Sequence, residues 1–177
     1  VQESIRHLKQ KGKTFRLLTN DASRSQQQQL ESLQRLGLHD IELNEIITSG
    51  MMARQFLEQK IVSGRIAYLG TQNSAEYILQ SGLKHVAVGD VDLDDIDDIS
   101  AFVFLDDEGF DWNTDINKTV NLLRKKNMPV ILANSDKYYP VSKNDIAVAT
   151  GGIAKLVESM LSRKFIHFGK TLSRANA

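Results

Sequence analysis

The chain has 177 residues, with 22 Lys and Arg balanced by 22 Asp and Glu, four histidines and no cysteine. Zero formal charge argues against a nucleic-acid partner, and the lack of cysteine excludes a disulfide framework, a thiol nucleophile and a thiolate-held metal. With 41% hydrophobic residues and no apolar run near the ~20 residues that span a bilayer, a globular, cytoplasmic protein without a membrane partner is expected.

Val1, Ile5 and Leu8 recur at helical spacing, so the sequence opens inside a helix. Thr14–Thr19 is the first strand candidate. The pattern then predicts a helix over Ser25–Leu36, with Leu30, Leu33 and Leu36 on one face and Gly37 as its left-handed stop. Gln26–Gln29 is assigned to the wet face of that helix. Ser49 can cap a helix reaching Lys60, with Met52 and Phe56 on one side.

Arg65–Gly70 is the next strand, followed by a helix over Asn73–Gln80 that buries Ala75, Ile78 and Leu79, and by a strand over His85–Gly89. The acidic run Asp90–Asp98 invites a calcium reading. An EF-hand loop needs Gly at its sixth position and Glu at its twelfth, and Asp95 and Ala101 stand there instead, so the run reads as a solvated connection. Ala101–Leu105 is a strand, Thr114 can cap a helix with Ile116, Val120 and Leu123 inward, and Pro129 stops it. Val130–Asn134, a helical face of Ile153, Leu156, Val157 and Met160, and the strand Lys164–Gly169 complete the series. Strands alternating with helices imply parallel strands and right-handed crossovers, which is the α/β class. In such sheets ligands bind beyond the carboxyl ends of the strands.

Those ends hold the candidate chemistry. Thr19-Asn20-Asp21-Ala22-Ser23-Arg24-Ser25 offers a hydroxyl, an amide and a guanidinium just before a helix start, where free N–H groups suit a phosphate. Helix capping by Ser23 or Ser25 explains the same residues equally well. Gly169-Lys170-Thr171 ends like a P-loop, but Lys164 stands where its first Gly is required. Lys170 still qualifies as an anion ligand at a strand end. The four histidines form no pair at metal-binding spacing.

The order of short motifs resembles a known family. Leu18-Thr19-Asn20, Ser23-Arg24, Ile47-Thr48-Ser49-Gly50, Tyr68-Leu69-Gly70 and Phe104-Leu105-Asp106-Asp107 are followed by Ala133-Asn134-Ser135-Asp136, Tyr139-Pro140, Thr150-Gly151-Gly152 and Gly169-Lys170. This series is similar to the haloacid dehalogenase (HAD) superfamily in its NagD-like phosphatase branch. The resemblance implies a Rossmann-like parallel-sheet core, incomplete here, with an inserted α/β cap domain of the C2 type. Residues 1–69 would open the core, 70–163 form the cap, and 164–177 return to the core.

The implied activity is Mg²⁺-dependent hydrolysis of a small phosphorylated substrate, a sugar-phosphate or nucleotide-like monoester, through an aspartyl-phosphate. Thr19, Asn20 and Lys170 take the catalytic positions. Ser23 and Arg24 join Asp136, Tyr138, Tyr139 and Pro140 of the cap loop as substrate-binding candidates, and a homo-oligomer through the cap is a further expectation. The family's Asp-x-Asp and its acidic fourth motif do not occur at the matching places in these residues. Thr171 stands where proline is usual, and Asp21 where Asn is frequent. The nucleophile and the Mg²⁺ ligands are therefore expected outside residues 1–177, no metal ligand is assigned within them, and these residues alone should be inactive. The rival reading is a non-catalytic HAD-like module that binds a phosphorylated ligand or a protein partner.

Overall fold

In the computed structural model, α1 (Gln2–Gln10) buries Ile5 against Ile41 and Ile46, and Leu17, Leu30 and Leu33 pack around them. β1 (Leu17–Thr19) and β2 (Ile46–Thr48) pair in parallel as a separate two-stranded sheet, joined through α2 (Gln26–Arg35). Residues 1–79, 82–161 and 163–169 are described; Lys170 and the side chains of Ile78 and Leu79 lie outside the described residues. Ser25 caps α2 in a reciprocal box with Gln28, and Gly37, at φ 85°, turns the chain just after it. Gln28 and Gln26 are thus not mere wet-face residues, since the Gln26 amide also donates to the Ile46 carbonyl at 2.7 Å and ties α2 to β2. β2 was not among the expected strands, because three residues show no usable period. Thr48, not Ser49, caps α3 (Ser49–Lys60), its hydroxyl accepting from Met51 N–H at 3.1 Å.

The larger sheet contains β3 (Arg65–Leu69), then α4 (Gln72–Leu79), β4 (Lys84–Ala87), β5 (Ile99–Phe104), α5 (Thr114–Lys125) and β6 (Val130–Leu132). A hairpin of β7 (Tyr138–Pro140) and β8 (Ile146–Val148) follows, then α6 (Thr150–Leu161) and β9 (Ile166–His167). Its five strands run parallel in the order β4-β3-β5-β6-β9. Its central strands are apolar on both faces, so helices must cover both. Phe102, Phe104, Val130 and Leu132 pack under Leu122 and Leu123 of α5 and Ile153 and Val157 of α6. On the other face Ile66, Val103, Leu105 and Ile131 meet Ala53 and Leu57 of α3 and Ala75 of α4.

β3, expected in the opening core segment, hydrogen-bonds to β4 and β5, and β9, expected in the returning segment, pairs with β6. The acidic run is more than a solvated link. Val91 is buried, Asp98 pairs with Arg65, and Lys126 donates to the carbonyls of Ile96 and Asp97. Thr114 is helical rather than a cap; the carboxylate of Asp111 accepts from the N–H groups of Asn113 and Thr114 at the start of α5.

Candidate active site

Beyond the carboxyl ends of β1, β5 and β6, three loops converge on a cleft of about 350 Å³. The first, residues 19–24, is folded around its own aspartate. Thr19 Oγ1 accepts from Asp21 N–H at 3.2 Å, and Asp21 Oδ1 accepts from Ser23 N–H and Arg24 N–H at 2.9 and 3.1 Å. Asp21 Oδ2 holds the Arg24 guanidinium at 2.9 Å. The backbone N–H groups of Ser23 and Arg24 are thus taken by a carboxylate. The capping reading is right for Ser25, whose hydroxyl and Gln28 partner satisfy the first turn of α2.

The second loop comes from β6. Asn134 Oδ1 accepts from Asp136 N–H at 2.9 Å, an Asx turn that aims the Asp136 carboxylate back across the cleft. There it accepts from Asn20 Nδ2 at 2.7 Å, a bond between residues 116 positions apart. The floor under this loop is the amino end of α6. Gly151 N–H donates to Asp136 O at 2.9 Å, and a Cβ at Gly151 would stand 2.5 Å from that oxygen. Gly169, after β9, comes close enough that its Cβ would meet Ser135 Oγ at 2.7 Å and Asn20 Oδ1 at 3.1 Å. The chain thus reaches the cleft one residue before Lys170, which itself lies outside the described residues.

The third loop, from β5, supplies residues that the motif reading quoted but did not assign to the site. Asp106 is partly enclosed. Burial pushes its carboxyl above the usual range, hydrogen bonds from Asp107 N–H and Ser23 pull it back, and the neighbouring Asp107 charge pushes it up again. Asp107 lines the cleft, and its Oδ2 accepts from the Tyr139 hydroxyl at 3.1 Å. That bond to a carboxylate raises the Tyr139 phenol above its ordinary value.

Thr19, Asn20, Ser23, Arg24, Asp136 and Tyr139 therefore share one cleft with Asn134 and Asp107. Tyr138 and Pro140 are not among its lining residues. They flank Tyr139 on β7, where successive side chains alternate faces, and both are exposed. Among the described residues no group of three or more His, Asp or Glu is placed to hold a metal ion. No helix of these residues is long and apolar enough to cross a membrane.

The family model of the haloacid dehalogenase-like hydrolases matches residues 1–84. A solved structure from Cytophaga hutchinsonii, a possible sugar phosphatase of the HAD superfamily, is 46% identical, with a TM-score of 0.89 over 96% of this chain and 60% of that one. The 4-nitrophenylphosphatase of Thermotoga maritima is 25% identical, with a TM-score of 0.75 over 95% of this chain and 59% of its own. A glycerol-3-phosphate phosphatase of Gallus gallus is 26% identical over 172 residues, 90% of this chain and 55% of that protein. The chain thus spans less than two thirds of the length of each. In motif order, in its parallel α/β fold and in these similarities, the chain is similar to the haloacid dehalogenase-like hydrolases.

Proposed function

We propose that these residues serve a phosphatase acting on a small phosphorylated metabolite. The observation that carries this reading is the Asn20–Asp136 hydrogen bond at 2.7 Å, which joins the phosphate-binding candidate loop after β1 to the leaving-group loop after β6. An aspartate outside residues 1–177 would attack phosphorus, form an aspartyl-phosphate and expel the alcohol, and water would then release phosphate. Thr19 accepts from Asp21 N–H, which leaves its own O–H to donate to an equatorial phosphate oxygen. Lys170, one residue after Gly169, would neutralise the same charge, and Asn20 would donate beside it. Such preorganised donors supply most of what protein contributes to phosphoryl transfer.

Mg²⁺ is proposed from the family resemblance alone. The described residues do not form a site for it, so no step is assigned to it here. The two-stranded β1–β2 sheet, with Leu18 57% exposed, supports a core completed by further chain, and the sheet membership of β3 and β9 suggests a cap that begins near Val62. Phosphate release by the full-length protein with Mg²⁺, measured over a panel of phosphate monoesters, tests the proposal. Turnover that vanishes in Lys170→Ala supports it. A ligand-dependent rise in Tm without phosphate release would favour the non-catalytic module.

A further inference from the structure

We propose that Asp107 is a specificity-determining residue that admits a hydroxyl-bearing, uncharged leaving group and excludes an anionic one. The inference rests on the phosphatase reading and deepens it. Three features of the cleft carry it.

The first is the balance of charge. Asp107 and Asp136 each meet a neutral donor, the Tyr139 hydroxyl and the Asn20 amide, so neither contact cancels the charge. The cleft's own guanidinium, Arg24, is engaged by Asp21 at 2.9 Å. Asp106 and Glu108 flank Asp107 and add no cation. A carboxylate or second phosphate on the leaving group would enter beside Asp107 and Asp136, whose charges no cation among the described cleft residues offsets, Lys170 being assigned to the transferring phosphate, an arrangement that selects by repulsion.

The second is hydrogen-bond polarity. The Tyr139 hydroxyl spends its proton on Asp107 and so faces the cleft as an acceptor, as do the remaining carboxylate lone pairs. Asn20 and Asn134 add amide groups to the same lining. A hydroxyl both donates and accepts and can meet both kinds of group, whereas an ammonium only donates.

The third is placement. Asp107 follows a strand buried at the centre of the sheet, with Phe104 fully enclosed and Leu105 nearly so, and its loop is fixed by the Asp106 contact to Thr71 at 3.2 Å. A carboxylate held on a rigid strand end keeps its charge at one place in the cleft, which a mobile surface aspartate would not.

The test uses two esters that differ only at the far carbon. Glycerol 3-phosphate ends in CH₂OH, and 3-phosphoglycerate ends in a carboxylate. In the full-length enzyme the ratio of their kcat/KM values should favour the polyol ester and should fall as KCl is raised, because salt screens the repulsion. Asp107→Asn should lower the ratio by about 10-fold, mainly by improving the anionic ester. Tyr139→Phe keeps the carboxylate and should retain the preference. A ratio unmoved by both Asp107→Asn and salt overturns the inference while leaving the phosphatase reading intact. An equal collapse in Tyr139→Phe overturns it too, since the hydroxyl rather than the charge would then select. Absence of turnover on every ester overturns the phosphatase reading, and this inference with it.

Discussion

A hydroxyl at a strand end can serve its own backbone or a ligand, and Thr19 is arranged to do both. Its oxygen accepts from Asp21 N–H while the proton remains to be given. Thr19→Val should therefore cost only about 0.5–1.5 kcal/mol of stability, the net worth of one hydrogen bond. In the full-length enzyme the same change should lower kcat/KM by roughly 10²-fold or more, as expected when a charge-stabilising donor is lost. A fall in Tm with kcat/KM within a few-fold of wild type would make Thr19 a turn-former only. Tyr139 poses the complementary question. Its ring is exposed and its hydroxyl is bound to Asp107. Tyr139→Ala should raise KM for a polyol phosphate and disturb p-nitrophenyl phosphate hydrolysis much less; an equal loss on both esters with a lower Tm would assign the ring to packing instead. At this scale the sequence identified Thr19, Asn20, Asp136 and Tyr139 as candidates but did not assign Asp107. An aspartate in an acidic stretch has no local signature; only the Tyr139 hydroxyl, 32 residues away, singles it out.

One helix, α6, supports the cleft, and each of its ends contains a residue whose effect can be signed in advance. α6 begins under the Asp136 loop, and Gly151 leaves room there for the backbone of Ser135 and Asp136 at 2.5–2.6 Å from where a Cβ would stand. Gly→Ala in an exposed helix gains about 1 kcal/mol. Here the sign should reverse: Gly151→Ala should destabilise by roughly 1–3 kcal/mol through overpacking and raise KM by displacing Asp136. Unchanged or higher stability, read by chemical denaturation, would show that the loop yields freely. At the other end of α6, Glu158 is 8% exposed. It accepts from Lys155 Nζ at 2.8 Å and from Phe165 N–H at 2.9 Å, pinning β9 to the helix. Burial opposes its ionisation, but the hydrogen bonds from Lys155 and Phe165 outweigh it and hold the carboxyl below the ordinary 4.5. A depressed carboxylate stabilises the fold above its unfolded pKa, and that contribution disappears as pH falls through the lower native value. Glu158→Gln should thus lower stability by about 1–3 kcal/mol near pH 7, and the gap to wild type should close below about pH 4.5. A gap that persists in acid would mean that packing, not charge, sustains the contact.

Over the whole molecule, the cleft is held by the sheet beneath it. Phe104 is fully buried, with its ring centroid 5.0 Å from that of Phe102 and 5.6 Å from that of Phe165, so it links the central strand to the segment leading into β9. Phe104→Ala should cost about 3–5 kcal/mol and remove Gly169 from its place beside Asn20. Loss of less than about 1 kcal/mol in a urea titration would contradict that linkage. The α/β class, the parallel strands and, to within about a residue, the three helices whose two ends were expected were all determined by the sequence alone. They depend on periodicity, glycine stops and the covering that doubly apolar strands demand, all of which are local or nearly so. Tertiary structure decided the rest. It placed β3 and β9 in the larger sheet, because ladder pairing depends on neighbours and not on chain order. It turned Asp21 inward onto the N–H groups of Ser23 and Arg24, and it separated Tyr139 from Tyr138 and Pro140 by strand alternation. Above all it brought Asn20, Asp107 and Asp136 into one cleft. Residues more than a hundred positions apart meet only once the chain has folded, and no local pattern in a sequence records that distance.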